Sequence, residues 1–233
     1  HGVDLLWIGA RTTVSPFAVQ EIAESLHDNK DVSILIKNPM TPDIGLWAGA
    51  VNRLVNEGVP IENIGLIHRG FSYFGHSKYR NPPMWHMIFE MRSRFPDMMM
   101  ICDPSHICGC RPLLYGISQQ AADLCYDGLI IESHNNPDKA WSDASQQLEP
   151  KALGEMIRSI NWRSTLSDDP EYLKALSRYR EQIDQIDAEL FDLLSRRMAI
   201  ADSIGRVKRD NDVVILQSGR WASIVDRVMS QAA

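Results

Sequence analysis

The chain has 233 residues, a length that fits one large domain or two smaller ones. It is 44% hydrophobic and 23% charged, which is ordinary for a globular protein, and its net charge of −6 argues against a nucleic-acid-binding protein. No apolar run is long enough to span a bilayer, and the first residues, HGVDLLWIGA, lack the basic start of a signal peptide. We therefore expect a cytoplasmic protein whose four cysteines are reduced: Cys102, Cys108, Cys110 and Cys125.

Up to about residue 160, short apolar runs alternate with amphipathic helical patterns. The predicted strands are Val3–Ala10, Asp31–Lys37, Asn63–Arg69, Met98–Asp103 and Gly128–Glu132. The predicted helices are Pro16–His27, Gly45–Glu57, Pro83–Phe95, Arg111–Leu124 and Glu149–Ile160. Strands that are apolar throughout and alternate with helices indicate a parallel sheet. Five such units fit a doubly wound sheet or part of a (β/α)8 barrel, and the absence of a GxGxxG motif after the first strand counts against a dinucleotide-binding fold.

The pattern changes to all-helical after a predicted linker at 161–170. Asp168 and Asp169 before Pro170 predict a helix start. Apolar residues then recur every three or four positions over about 30 residues with no proline, which is typical of a long helix packed against a partner: Leu173, Leu176, Tyr179, Ile183, Ile186, Leu190, Leu194, Met198, Ala201 and Ile204. We predict a break near Asn211 and a short helix over Arg220–Met229. The predicted organisation is thus a barrel part at 1–160, the linker and a helical domain at 171–233.

Three short motifs indicate a metal site in the first domain. DPSH ends with His106 and follows the fourth predicted strand, ESH begins with Glu132 at the end of the fifth, and Asp143 lies in the SD pair of the next loop. In a barrel of alternating strands and helices, catalytic groups lie at the carboxyl ends of the strands. One histidine and two carboxylates converging there form a suitable set of ligands for a divalent metal.

Basic residues follow the first three predicted strands. Arg11, Lys37 and Arg69 each stand at or just after a strand end, so we expect them to share one positive pocket. An arginine offers a planar fork for carboxylate or phosphate, and a lysine offers a point charge. The pocket therefore suits an anionic substrate such as a phosphorylated carboxylic acid held beside a Lewis acid.

Residues 1–160 resemble the last five units of a 3-deoxy-D-arabino-heptulosonate 7-phosphate (DAHP) synthase barrel, because IGART, LIKN, HRG, DPSH, ESH and SD occur in that family's order. The resemblance implies a transferase that condenses phosphoenolpyruvate with erythrose 4-phosphate and uses a divalent metal, usually Mn²⁺. It further implies that Arg11, Lys37 and Arg69 bind phosphoenolpyruvate. His134 is close to Glu132 in the ESH motif, so it either supports that ligand or contacts substrate, and we count it among the substrate-binding residues. His106, Glu132 and Asp143 would then bind the metal.

The segment Glu171–Met229 resembles a type II, all-helical chorismate mutase through YREQIDQID, LLSRRMAIADSIGRVK and QSGRW. The resemblance implies an isomerase that converts chorismate to prephenate, with Arg180, Arg197, Lys208 and Arg220 around the substrate. Arg197 and Lys208 are 11 residues apart and share roughly one helix face at about 100° per residue. Arg180 is 17 residues, or roughly 25 Å, from Arg197 along a straight helix, so either it comes from a second copy or it does not participate. We expect the first, in an intertwined homodimer.

Both families contain segments that these residues lack, so the chain is either a fragment or part of a longer protein. The synthase family's cysteine ligand and its Lys-Pro-Arg-Thr stretch have no counterpart, and without the missing barrel units we expect no synthase activity. The third mutase helix would follow Ala233, and Trp221 stands where that family often has a glutamate. Two functions stay open: a bifunctional enzyme, or a synthase whose helical tail is a dimerisation or regulatory module that binds prephenate.

Overall fold

A computed structural model describes residues 3–27, 32–164 and 166–232. The chain forms two compact units, divided between residues 165 and 166, within the predicted linker. The predicted start of the second strand at Asp31 and the predicted end of the helical domain at residue 233 lie outside the described residues. Across the described parts, no helix is both long and apolar enough to cross a membrane.

A five-stranded parallel sheet forms the centre of the first unit. Its strands are β1 (Leu5–Ile8), β2 (Ser33–Lys37), β3 (Ile64–His68), β4 (Met99–Cys102) and β5 (Gly128–Leu129). Their spatial order is the same as their order in the chain, and every pair is parallel. A doubly wound sheet reverses its strand order at a switch point, whereas a barrel wall does not. The observed order therefore confirms the barrel alternative.

Helices cover the sheet between successive strands. They are α1 (Ala10–Thr13), α2 (Pro16–Ser25), α3 (Ile44–Asn56), α4 (His86–Arg94), α5 (Pro104–Cys108), α6 (Leu114–Asp123) and α7 (Pro150–Ser159). Short 3-10 turns lie at Ile61–Asn63, Arg111–Leu113 and Pro137–Lys139. Side-chain caps fix several helix starts: Ser15 Oγ accepts from Ala18 N at 3.3 Å, and Asp43 Oδ1 accepts from Leu46 N at 2.9 Å. Such caps satisfy backbone donors that have no partner inside the helix.

The core lies between the middle strands and the helices packed on them. β3 is buried along its whole length, and Ile34 and Ile36 of β2 are at most 1% exposed. Trp47 of α3 is fully buried, and its indole nitrogen donates to Ile36 O at 3.1 Å, so the large ring carries no unsatisfied polar group. Because this layer is rigid, it holds the strand ends that carry the polar residues at fixed positions.

The outer strands differ from their predictions. The first strand spans Leu5–Ile8 rather than residues 3–10, because Gly9 caps α1. Only Ile8 of this strand is buried, and Trp7 is 57% exposed. β1 pairs with β2 on one side only, and its other edge has no partner in the described residues. β5 ends at Leu129 rather than Glu132, because its neighbour β4 ends at Cys102 and the next residue caps α5.

The second unit consists of α8 (Pro170–Asp210) and α9 (Ser218–Ala232). α8 starts where Asp169 Oδ1 accepts a hydrogen bond from Glu171 N at 2.9 Å, and it ends before Asn211, so the predicted start and break are confirmed. α9 is longer at both ends than the predicted helix at 220–229. The predicted apolar seam of α8 is about half exposed within a single chain, as Ile183 and Leu194 show at 56% and 55%. The seam therefore has an unpartnered apolar face, which a soluble helix normally buries.

Candidate active site

The carboxyl ends of the parallel strands surround a cavity of about 370 Å³ in the first unit. Its lining combines four cations with two of the predicted metal ligands and a few smaller or apolar residues: Trp7, Gly9, Ala10, Arg11, Lys37, Met40, Arg69, Arg80, Asn81, His106 and Asp143. The structure thus brings together the three predicted pocket cations and adds Arg80. A cavity of this size holds a small anion rather than a macromolecule.

Two of the predicted cations are held by specific partners. Lys37 Nζ donates to Asp103 Oδ2 at 3.0 Å. Arg69 is 7% exposed, and its Nη1 donates to Asn81 Oδ1 at 3.0 Å. Burial lowers the pKa of Arg69, while the nearby carboxylates of Asp103 and Asp143 oppose that shift. An arginine keeps its charge under these conditions, so the buried guanidinium is a fixed cation at the cavity wall.

Asp103 joins the cation pocket to the predicted metal site. Its side chain is 2% exposed, Oδ1 accepts from His106 N at 3.1 Å as the cap of α5, and Oδ2 lies between Lys37 Nζ and His106 Nδ1, at 3.0 and 2.9 Å. Burial raises the pKa of Asp103, but His106 and Lys37 outweigh it and hold this pKa below its usual range. Asp103 therefore stays a carboxylate that orients one cation and one predicted ligand.

His106, Glu132 and Asp143 form a compact cluster, with one potential ligand atom of each lying within 4.8 Å of the others. His106 Nδ1 is 3.5 Å from Glu132 Oε1. That nitrogen is buried and makes no hydrogen bond of acceptable geometry with the described residues, although Asp103 Oδ2 is close. The 2.9 Å separation of His106 Nδ1 from Asp103 Oδ2 is thus a close contact that is not a directed hydrogen bond.

The donor set fits a divalent metal. An imidazole and two carboxylates are ligands that Mn²⁺ and similar borderline to hard cations accept. His106 Nδ1 is a buried polar atom with no hydrogen-bond partner among the described residues, and a cation bound there would give it one. These three side chains are the groups that would hold such an ion.

Asp143 adopts a backbone conformation that is unusual for a residue other than glycine, with φ of +49°. Gln146 N donates to Asp143 O at 3.1 Å, which closes a turn after it. Arg80 Nη1 donates to Asp143 Oδ1 at 2.7 Å and holds the pKa of that carboxyl below its usual range. Left-handed backbone at a polar residue is concentrated at functional sites, where surrounding contacts hold it in place.

His134, the fourth predicted substrate contact, is not among the described residues that line the cavity. It lies in the loop after β5, and its Nδ1 accepts a hydrogen bond from Asn136 N at 3.0 Å. The fully buried His68 also points away from the cavity. Its Nε2 lies 2.7 Å from Pro83 O and its Nδ1 lies 2.8 Å from the Tyr126 hydroxyl. His68 is thus a core residue beneath Arg69.

The second unit places its predicted cations along one continuous helix. Arg180, Arg197 and Lys208 all lie in α8, and Arg220 lies in α9. Because α8 is unbroken from Pro170 to Asp210, Arg180 and Arg197 are roughly 25 Å apart along its axis. Lys208 Nζ donates to Ile215 O at 2.6 Å, which fixes the turn after α8. Within one chain, α8 does not bring Arg180 to the other cations of that helix.

The sequence profile of the DAHP synthetase I family matches residues 1–167, which is more than half of the chain. The chain belongs to the DAHP synthetase I family. The profile of the type II chorismate mutases matches residues 179–233, so a mutase region follows the synthase region.

Individual relatives agree with the synthase assignment. A curated phospho-2-dehydro-3-deoxyheptonate aldolase from Thermotoga maritima is 34% identical over 73 residues, which is 31% of this chain and 21% of that protein. A crystal structure of the DAHP synthase from the same organism matches with a TM-score of 0.58 and 24% identity, covering 67% of this chain and 44% of that one. A truncated form of the synthase matches with a TM-score of 0.57 and 26% identity, covering 66% and 56%. The chain therefore spans about half, or less, of the relatives it matches.

The motifs of the sequence did not point to three residues of the candidate site: Arg80, Asn81 and Gln146. None of them follows a strand directly. Arg80 and Asn81 lie in the long connection between β3 and α4, and Gln146 lies three residues after Asp143. The polar pair RN before two prolines was a local sign of an ordered loop. Their approach to the cluster depends on how the loops fold back, which no periodicity predicts.

Proposed function

We propose that this protein acts in aromatic amino acid biosynthesis as a DAHP synthase joined to a chorismate mutase. The observation that carries the proposal is the cavity at the strand ends, where Arg11, Lys37 and Arg69 face the same space as the cluster of His106, Glu132 and Asp143. An anion pocket beside a metal cluster is the arrangement that a condensation of phosphoenolpyruvate with a phosphorylated aldehyde requires.

In this proposal the cavity cations hold phosphoenolpyruvate. Arg11 is exposed and lines the cavity. Asp103 orients Lys37, and Asn81 orients Arg69, each through a hydrogen bond. Cations that are already fixed lose little freedom when a phosphate and a carboxylate bind, so more of the binding energy remains to position the enol carbon. His134 stays a proposed substrate contact that would need the loop after β5 to move toward the cavity.

A divalent ion, of which Mn²⁺ is the family's usual choice, would supply Lewis-acid polarisation of the aldehyde oxygen of erythrose 4-phosphate. His106, Glu132 and Asp143 would hold it, and Asp103 would keep His106 in place. Lys37 Nζ and His106 Nδ1 both lie within 3.0 Å of Asp103 Oδ2, so one carboxylate oxygen couples the orientation of a substrate cation to that of a metal ligand.

The mutase reaction is a rearrangement within one molecule and needs no nucleophile. Positioned cations suffice, because they hold the two carboxylates of chorismate and stabilise charge at the breaking ether bond. We assign that work to Arg197, Lys208 and Arg220 of one chain together with Arg180 of a second copy. The half-exposed apolar seam of α8 supports a homodimer, since pairing the two long helices would bury that seam and bring the distant Arg180 to its partner's site.

The alternative is a tail that serves as a dimerisation or regulatory module and binds prephenate without turning over chorismate. The exposed seam favours dimerisation in either case, so it does not distinguish a catalytic mutase from a regulatory module. The four cations do distinguish them. A helix that only dimerises has no need of Arg180, Arg197, Lys208 and Arg220 together. We propose a cytoplasmic location, small-molecule substrates and a second copy of the chain as partners, with neither nucleic acid nor membrane, and the acidic net charge agrees with the absence of nucleic acid.

Chorismate turnover tests the mutase function. The protein should convert chorismate to prephenate, and Arg197→Ala should lower kcat/KM by roughly 100-fold or more, because a preorganised charged donor is lost. Arg196→Ala is the matched control. It removes the neighbouring arginine, whose side chain is 70% exposed and forms a long ion pair with Asp192 at 3.9 Å. Such exposed pairs are weak, so the variant should change the rate little. Prephenate binding without turnover would support the regulatory alternative instead.

Phosphoenolpyruvate binding tests the synthase pocket separately. Calorimetric titration should show binding that Arg11→Met weakens about tenfold or more, since hydrogen bonds to a charged group contribute about 1.5–3 kcal/mol. Arg94→Met is the control, because Arg94 pairs with Glu90 on the surface of α4, away from the cavity lining. Equal affinity of the Arg11 variant and the wild type would refute the pocket assignment.

A further inference from the structure

Glu132 has a fixed backbone but only one hydrogen-bond partner for its carboxylate among the described residues. Glu132 N donates to Ser105 Oγ at 2.9 Å, and Glu132 O accepts from Leu148 N at 3.1 Å. Its side chain is 30% exposed and has three torsions of its own. The single donor to its carboxylate is Gln146 Nε2, which reaches Oε2 at 3.0 Å.

We propose that Gln146 is a positioning residue for the metal site, with its amide oriented by Arg80 so that it aims Glu132 at the ion. The inference rests on the proposed metal-dependent function and adds a residue to it. Gln146 does not touch the metal or the substrate, and it acts through Glu132. By holding Oε2, it leaves Oε1, the oxygen that lies 3.5 Å from His106 Nδ1, facing the centre of the cluster.

The orientation of the Gln146 amide follows from Arg80. Arg80 Nη1 lies 3.0 Å from Gln146 Oε1 and 2.7 Å from Asp143 Oδ1. A guanidinium only donates hydrogen bonds, so the amide atom facing it must be the carbonyl oxygen. The amino group is then directed to Glu132, which can only accept. One arginine therefore links two predicted metal ligands: Asp143 directly, and Glu132 through Gln146.

Gln146 is held tightly enough for this role. Its side chain is fully buried, whereas most glutamines are exposed. Arg111 clamps the segment on both sides, with Nη2 donating to Ala144 O at 2.8 Å and Nε donating to Gln147 O at 2.7 Å. Ser145 Oγ donates to Gly109 O at 2.9 Å. The loop is thus fixed to the segment that follows α5, the helix that carries His106.

Arg80 is fixed by the same segment. Gly109 has φ of +68°, and a Cβ built on it would lie 2.6 Å from Arg80 Cβ, so only glycine allows the arginine to lie across this turn. Asn81 N donates to Ile107 O at 3.1 Å, and Asn81 Nδ2 donates to His106 O at 2.7 Å. Both the β3–α4 connection and the loop after Asp143 therefore contact α5 or the turn that follows it.

Groups that hydrogen-bond to metal-ligating carboxylates orient them, and their loss commonly weakens metal binding by roughly 10- to 100-fold. Gln146 and methionine are both neutral, so replacing Gln146 by methionine does not change the electrostatic repulsion or attraction that the ion feels from full charges. A change in affinity would therefore report on orientation of Glu132 and not on net charge. The expected loss for removal of the amide is within that 10- to 100-fold range.

Mn²⁺ binding tests the proposal without relying on catalysis. The full chain is titrated with Mn²⁺ alone, and free ion is followed by its electron paramagnetic resonance signal. Gln146→Met, which keeps size but removes the donor, should raise Kd about 10- to 100-fold. Gln146→Glu keeps the contact with Arg80 but places a second acceptor against Glu132, and it should raise Kd at least as much.

Gln147→Met is the matched control, because Gln147 is the adjacent glutamine and its Nε2 donates to Ser142 O at 2.8 Å instead of to a ligand. Its Kd should stay within about twofold of the wild type, and thermal unfolding of every variant shows whether the unit is folded. A lower Tm for Gln146→Met with unchanged Kd in both Gln146 variants would overturn the positioning role. If the wild type binds no Mn²⁺, the metal site of the proposed function fails, and this inference fails with it.

Discussion

His68 gives a pH dependence of stability that can be calculated from its surroundings. The ring is fully buried beneath the cavity, between Pro83 O and the Tyr126 hydroxyl, and packs against Trp85 with ring centroids 5.4 Å apart. Burial lowers the pKa of His68 from 6.5 to about 3. The folded protein therefore keeps a neutral imidazole at pH values where the unfolded chain is protonated.

The sign of the effect follows from proton uptake. Between pH 6.5 and about 3 the unfolded state binds the proton and the folded state does not, so the free energy of unfolding falls as the pH falls. The loss is about 1.4 kcal/mol for each pH unit below 6.5, or about 2 kcal/mol between pH 7 and pH 5. The loss continues down to the folded-state pKa and levels off below it.

Replacement of His68 by glutamine isolates this contribution. An amide can donate to Pro83 O and accept from Tyr126, but it does not titrate, so His68→Gln should lose about 2 kcal/mol less stability than the wild type between pH 7 and pH 5. Urea unfolding followed by tryptophan fluorescence measures both curves, because Trp85 contacts the ring directly. His86→Gln, at an exposed position on α4, should leave the wild-type slope unchanged. Parallel pH curves for His68→Gln and the wild type would refute the reasoning.

Three further predictions concern two glycines of the barrel part and the helical seam. Gly70 has φ of +76°, and an added Cβ would lie 2.0 Å from Asn81 O, so Gly70→Ala should lower the free energy of unfolding by about 2 kcal/mol or more, measured in urea. Gly116→Ala in α6 meets open space and should raise it by up to about 1 kcal/mol. Leu194→Glu in the seam should convert a dimer to a monomer in light scattering, whereas Ser195→Glu on a neighbouring face should not. A seam variant that stays dimeric would contradict the proposed pairing of α8.

Periodicity predicted most of the secondary structure because local patterns control it. The strand at Ser33–Lys37 and the helices at Pro16–Ser25 and Ile44–Asn56 lie within a few residues of their predicted bounds. The long helix from Pro170 to Asp210 was predicted by its capping aspartate and its unbroken apolar spacing. The errors occur where neighbouring elements set the strand ends: β1 ends where Gly9 caps α1, and β5 ends where its neighbour β4 ends at Cys102.

Local sequence also predicted which polar residues stand at the strand ends. Arg11, Lys37 and Arg69 were recognised as one set because parallel strands must present their carboxyl ends on the same side. His106, Glu132 and Asp143 were recognised for the same reason, together with the family resemblance of their motifs.

The way in which those residues are held depends on the tertiary structure and was not predicted. A barrel wall and a doubly wound sheet give the same local pattern, and the sequential strand order separates them. Arg80 and Gln146 approach the cluster from loops distant in the chain, and Asp103 lies between a predicted substrate cation and a predicted ligand. Hydrogen bonds of this kind join residues far apart in sequence and require donor–acceptor separations that are correct to within about a few tenths of an ångström. Such separations are set by packing of the whole unit, whereas helix and strand patterns record only which side of each element faces the core.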